Sequence, residues 1–214
     1  MIIPRIAIAA LFALATGLPS ATAVARELID EPVILVATPE LRGQPYSASV
    51  LIVTPIGAGQ HIGFIINRPT PVKLSQMFPG HEPSKKVTEP VFLGGPENAG
   101  ALFALVQRQD GANARQLKLA PDLYLEIERE KVDGVIENEY RQARFFAGIV
   151  VWAPGELEAE IEHDFWYVQD PDVELVLRKS TAGMWEELVK RSERNKNALT
   201  AAAQLQHVPQ AITQ

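Results

Sequence analysis

The chain of 214 residues has no cysteine. Disulfides, thiolate metal sites and a cysteine nucleophile are thereby excluded, and the fold must rest on its core. Lipoprotein processing, which needs a cysteine at the cleavage site, is excluded too. The sequence also lacks Gly-x-Ser-x-Gly, His-Glu-x-x-His and a Walker phosphate loop. It is short of positive charge: 20 Lys and Arg stand against 26 Asp and Glu, for a net charge of −6. Such a chain repels nucleic-acid phosphates unless its basic residues gather in one patch. The only dense basic stretch is Lys190, Arg191, Arg194 and Lys196, and Glu193 interrupts it. It reads as a solvated helix end, so nucleic acid is not an expected partner.

What is present fits one soluble domain. Apolar residues make up 47% and charged residues 21%, the range of a globular chain rather than a disordered one. The first residues differ from the rest. Arg5 precedes the apolar run Ile6–Leu18, and Ala21-Thr22-Ala23 and Ala23-Val24-Ala25 both fit an Ala-x-Ala cleavage rule. These are the parts of a secretory signal peptide. The run is shorter than the ~20 residues of a membrane span. Residues 1–25 are therefore expected to be removed after Ala23 or Ala25, leaving no transmembrane segment and a periplasmic or secreted protein. Only Arg5 leaves with them, so the net charge falls from −6 to −7. Residues 26–197 then form a single domain. The Ala, Gln and Thr-rich stretch 198–214 has no apolar pattern and is expected to be a disordered tail.

The domain is organised around residues 144–166. Phe145–Trp152 is an apolar run rich in aromatic and β-branched residues and reads as a buried strand. Pro154 and Gly155 end it. Glu156–His163 reads as a helix with acids in its first turn, where the helix dipole favours them. Leu157, Ile161 and Phe165 share one face that can pack back on the strand. Before this unit, Val33–Ala37 is a strand buried on both faces. Ser49–Thr54, closed by Pro55, and His61–Ile66 form a hairpin across Gly57–Gln60. Val72–Phe78 is a short helix, Pro79–Pro90 a loop, and Ala101–Gln107 and Tyr124–Ile127 are strands. Residues 110–115 form a polar turn, and Arg129–Tyr140 is a helix despite Gly134. Asp172–Leu177 alternates like a late strand. Ser180 or Thr181 caps a last helix facing Trp185, Leu188 and Val189 to the core. Strands with irregularly inserted helices predict an α+β fold with a mixed sheet.

Four segments together resemble the AlgH/YqgE family of bacterial proteins: Ala37-Thr-Pro-Glu-Leu with Ser49-Val50 after it; Gly59–Pro69; Leu93-Gly-Gly-Pro96; and Gly148–Trp166. The resemblance spans roughly residues 31 to 178. It implies a bifurcated β-sheet, part of it curled into a small barrel and surrounded by helices. It implies no defined activity, and the family's transcriptional-regulator label is a loose one. Three departures matter. The family usually has an Asp in the loop that here reads Arg42-Gly-Gln-Pro-Tyr-Ser47. It usually has Gln where this chain has Glu156. Its members otherwise look cytoplasmic, so an exported one argues against transcription.

Candidate chemistry is sparse. The glycines of Gly57–Gly63 are followed by a strand and not by a helix N-terminus, so a hairpin turn is expected rather than a phosphate site. Glu160-x-x-His163 is half of a di-iron motif, but no second copy exists, and the acids of that helix read as a solvated face. No metal or cofactor is expected. Ser47 and Ser49 lack a nucleophile elbow, and His61, His81 and His207 are read as solvated. The candidate site is Asn67-Arg68 with Gly94-Gly95-Pro96. Both segments follow short apolar strands, glycines permit close backbone approach, and an Arg can grip an anion with two N–H groups. If the loops meet they form a pocket for a small anionic ligand or a protein partner. The competing role for Arg68 is a structural ion pair with a carboxylate such as Glu97. The expectation is an exported, non-enzymatic binding or regulatory domain. Two alternatives stay open: an enzyme, metal-assisted hydrolysis included, using Glu156–His163, and an intracellular regulator if the leader is not used.

Overall fold

The computed structural model describes residues 28–109 and 117–206, with side chains to residue 198. In chain order its strands are β1 (Val33–Ala37), β2 (Val50–Gly57), β3 (Gln60–Ile65), β4 (Pro69–Lys73), β5 (Pro90–Leu93), β6 (Glu97–Gln107), β7 (Leu117–Ala120), β8 (Leu123–Glu126), β9 (Ala143–Trp152) and β10 (Trp166–Gln169). The helices are α1 (Leu74–Met77), α2 (Arg129–Asn138), α3 (Glu156–Glu162), α4 (Val173–Val176) and α5 (Met184–Gln206).

Strand β9 is the trunk of the sheet. Along one edge it pairs antiparallel with β6, from Ala143↔Val106 to Ala147↔Leu102. Its other edge is shared between two partners. Phe146 and Ala147 pair parallel with β5, and Val150 to Trp152 pair antiparallel with β3. The sheet forks at Gly148, whose φ of 73° no β-branched residue of this run could adopt cheaply. The path β10-β1-β2-β3-β9-β6-β8-β7 then curls until β7 comes back against β2. The architecture is α+β, a bifurcated and half-closed sheet with helices around it, as the resemblance implies.

Alternation along the strands builds two cores from one sheet. Ile34, Ile52, Phe64, Phe103, Leu105 and Phe146 point into the curl, where Leu175 and Val176 of α4 and Met184 and Leu188 of α5 close it. Leu35, Leu51, Ile65, Trp152 and Trp166 point the other way and are covered by Leu157 of α3 and by Ile29. Covering both faces is why β1 reads as an unbroken apolar run. Each such side chain stabilises the fold by roughly 1.5–3 kcal/mol. A third cluster packs Val132, Val135 and Ile136 of α2 on Ala104, Tyr124 and Phe145.

Several local expectations change. Pro55 does not end β2, which runs on to Gly57. The pairing of β2 with β1 ends at Val53↔Val33, so the missing N–H of Pro55 breaks no ladder on that edge. Residues 172–177 are not a strand. Asp172 Oδ1 accepts from the Leu175 amide at 3.1 Å and caps α4, which buries the adjacent Leu175 and Val176. The late strand is instead β10, pairing with β1. Residues 69–73 are strand β4 before the short α1, and β7 has no counterpart in the sequence reading. Helix α5 continues to Gln206, into the stretch expected to be a tail. The leader 1–25, the turn 110–115 and residues 207–214 lie outside the described residues.

Candidate functional site

Asn67 and Arg68 leave the end of β3 and turn towards the loop 45–49. The Asn67 amide bridges that loop to its strand: Oδ1 accepts from Val50 N at 2.9 Å, and Nδ2 donates to Ala48 O at 2.9 Å. Between these two bonds Ala48 sits at φ 55°, a left-handed conformation that an Ala holds only when its surroundings fix it. Arg68 holds the same loop from beyond. Its Nη2 donates to Pro45 O at 2.8 Å, to Ser47 O at 3.2 Å and to Ser49 Oγ at 2.8 Å. Ser49 is fully buried. The ion pair with Glu97 is not among the contacts of Arg68. The loop carbonyls hold the guanidinium instead, through bonds that its charge strengthens.

The two predicted segments meet through their backbones. Leu93 N donates to Arg68 O at 2.9 Å, and Ile65 N donates to Gly94 O at 2.8 Å. Gly94 N donates onward to Ala147 O at 2.8 Å. Gly94 and Gly95 lie pressed on β9. A Cβ on Gly94 would lie 2.2 Å from Gly148 O, and one on Gly95 would lie 2.1 Å from the Ile149 carbonyl. These glycines therefore serve backbone packing at the sheet fork. Asn67 and Arg68 are half-buried, Gly94 and Gly95 buried, and Pro96 exposed.

Tyr46 is a member of this surface that sequence reasoning missed. Its ring tilts against Trp166 at a centroid distance of 6.2 Å. Burial raises the phenol above its ordinary pKa, Glu97, Glu160 and Glu156 add to the rise, and Arg68 opposes it. The available signal was an aromatic residue within the polar stretch Gln44–Ser47.

The Glu160-x-x-His163 pair does not converge. Glu160 Oε2 accepts from Trp152 Nε1 at 3.0 Å and from Trp166 Nε1 at 2.7 Å. His163 Nδ1 instead lies 2.7 Å from Ala159 O. Glu156 accepts from Ala153 N at 2.9 Å across the turn that opens α3. Among the described residues no three His, Cys, Asp or Glu side chains are placed to share a metal ion. His61 is not solvated: it is buried beside β9, with Nε2 3.0 Å from Ile29 O, because β3 turns this position under the N-terminal segment. His81 is half-buried and lies 3.8 Å from Glu137, while His207 is outside the described residues. The Gly57–Gly59 turn joins β2 to β3 as a hairpin, with Gly57, Ala58 and Gly59 all at positive φ.

Comparison with known proteins agrees with this architecture. Residues 34–197 match the family model described as AlgH-like. A UPF0301 protein of Chlorobaculum tepidum is 27% identical over 167 residues, which are 77% of this chain and 87% of that protein. One from Streptomyces avermitilis is 28% identical over 175 residues, covering 78% and 89%. Among solved structures, a Corynebacterium diphtheriae protein superposes with a TM-score of 0.63 at 24% identity, over 76% of this chain and 86% of its own. The AlgH protein of Pseudomonas aeruginosa does so with 0.57 at 18% identity, over 86% and 95%. Both structures share the fold.

Proposed function

Since the chain belongs to the AlgH-like family, we propose that it is an exported, non-enzymatic binding domain with its recognition site at the junction of Asn67-Arg68 with Gly94-Gly95-Pro96. The ligand is a small anionic group, free or carried on a protein partner. One observation carries this reading. Arg68 is half-buried and held by three acceptors on Nη2, yet among the described residues it forms no ion pair with a carboxylate. A fixed cation without a counter-charge, on a backbone that four glycine and asparagine contacts make rigid, is pre-organised for an anion. The enzymatic alternative is weaker. Glu160, the carboxylate of the Glu160-x-x-His163 pair, is occupied by two indole donors.

Export rests on the leader pattern of residues 1–25. N-terminal sequencing of the protein from fractionated host cells tests it. Processing after Ala23 or Ala25 in an exported fraction supports the assignment, and an intact Met1 in the cytoplasm would return the intracellular regulator to first place. The site is tested by amide NMR during titration with citrate. Shifts at residues 45–49, 67 and 68 are expected, lost in Arg68→Met and partly kept in Arg68→Lys. If Arg68→Met lowers stability by ~1–3 kcal/mol and citrate shifts none of these amides in the parent protein, Arg68 is a structural pin alone.

A further inference from the structure

A second positively charged feature is built from other residues. A cavity of about 410 Å³ opens between the 86–90 segment, the start of β9 and the residues after α4. Four cations contribute to its wall: Lys86, Arg141, Arg144 and Lys179. Among the described residues that line it, Glu89 is the only carboxylate. None of the four is in an ion pair among the described residues, although this is an acidic protein. The Arg141 guanidinium stands 5.7 Å above the Tyr140 ring, at the same wall.

Arg144 is the unusual member. It is only 2% exposed. Its Nη groups donate to the carbonyls of Val176 and Arg178, where α4 ends, and its guanidinium lies 4.3 Å over the Phe92 ring. Among the described residues its Nε–H has no hydrogen-bond partner. A buried cation ordinarily comes with a counter-ion, because desolvating it alone is costly. Here burial pulls the Arg144 pKa down to about 10, with only the field of Glu89 resisting. Neutral carbonyls and a ring face hold the side chain in place but supply no negative charge.

We propose that this cavity binds a small phosphate ester that also carries hydroxyl groups, with the phosphoryl group among Lys86, Arg141 and Lys179 over the buried charge of Arg144, and a hydroxyl donating to Glu89. The volume suits a ligand of hexose-phosphate size. Lys86, Arg141 and Lys179 are exposed at the rim and lead an anion inward. Arg144, already fixed, loses no side-chain freedom on binding. The residues that line this cavity are not those of the Arg68 junction, although Arg144 Nη1 also lies 3.5 Å from Ile66 O.

Isothermal titration and amide NMR of the full-length protein test the proposal, with glucose 6-phosphate, inorganic phosphate and glucose as probes. Glucose 6-phosphate should shift amides at 86–90, 140–145 and 179, raise Tm, and bind at least tenfold more tightly than inorganic phosphate. Glucose should do nothing. Lys86→Ala with Lys179→Ala changes only exposed side chains and should leave the fold intact while weakening glucose 6-phosphate at least tenfold. Glu89→Gln should narrow the gap between the ester and inorganic phosphate. The proposal fails if glucose 6-phosphate shifts none of these amides, if its shifts centre on residues 45–49 and 67–68, or if the double variant binds it unchanged. Equal binding of ester and inorganic phosphate would also overturn it, leaving an adventitious ion only.

Discussion

Glu160 reaches from α3 to Trp166 of β10, its Oε2 accepting from the indole Nε1 at 2.7 Å. The same oxygen takes the Trp152 indole at 3.0 Å, so one carboxylate ties the helix to the last residue of β9 and the first of β10. Trp152 is 2% exposed, and its N–H has no water to turn to if the acceptor is removed. Glu160→Ala is therefore expected to lower the unfolding free energy by about 2–3 kcal/mol, and Glu160→Gln by less because its amide oxygen still accepts. Urea unfolding measures both. Equal losses in the two variants would show that the charge, not the acceptor, matters.

Gly148 is a sharper case. Its φ is 73°, and a Cβ there would sit 2.2 Å from Gly95 O. Both backbone strain and a clash with a main-chain atom oppose any side chain. Gly148→Ala should cost about 3–5 kcal/mol and reduce soluble yield. Near-parental stability would mean that the fork can open at little cost.

Arg108 holds the end of β6 to two acids. Its Nε and Nη2 donate to Glu139 at 2.6 and 2.7 Å, and its Nη1 donates to Glu126 at 2.5 Å. The hydrogen bond to Glu139 is the first cause of an Arg108 pKa above the ordinary value. Glu126 is 2% exposed. Arg108→Met takes one guanidinium away from a buried carboxylate and from Glu139, and should cost about 1.5–3 kcal/mol. Adding Glu126→Gln should recover part of that loss. Chemical denaturation of the two variants gives the comparison, and no recovery would place the cost elsewhere.

Tyr46 should ionise later than a free tyrosine. Burial and the nearby carboxylates raise its folded pKa above 10.0. As pH rises past that value the unfolded chain releases this proton before the folded protein does. Its contribution to stability is thus complete below the unfolded pKa and is lost as pH climbs through the folded one. An ultraviolet titration should show a late tyrosinate component that shrinks in Tyr46→Phe. A phenol that titrates with the exposed tyrosines would contradict this environment.

The parts of the fold that were legible in the sequence are those where local pattern reports burial directly. The run 145–152 is the trunk of the sheet because β-branched and aromatic residues, covered on both faces, leave no polar alternation. Glycines at 57 and 59 marked the hairpin, and the acids of 156–162 marked the first turn of α3. Asp172–Leu177 misled because alternating apolar residues in a segment of six satisfy a strand and a capped helical turn equally well. Of the candidate site, the meeting of the 67–68 and 93–96 segments follows from two strands flanking one trunk.

By itself the sequence determined which stretches are buried, where the chain must turn, the absence of thiol chemistry and the family to which the chain belongs. Only the tertiary structure decided what the polar residues do. Arg68 finds its acceptors some twenty positions back in the chain, Glu160 finds two indoles on different strands, and Arg144 is buried against carbonyls 32 and 34 residues ahead. Periodicity reports the environment of a residue, whereas a hydrogen-bond partner is set by which strands pair and in what register. That pairing is decided by the fork at Gly148 and the curl of the sheet beyond it.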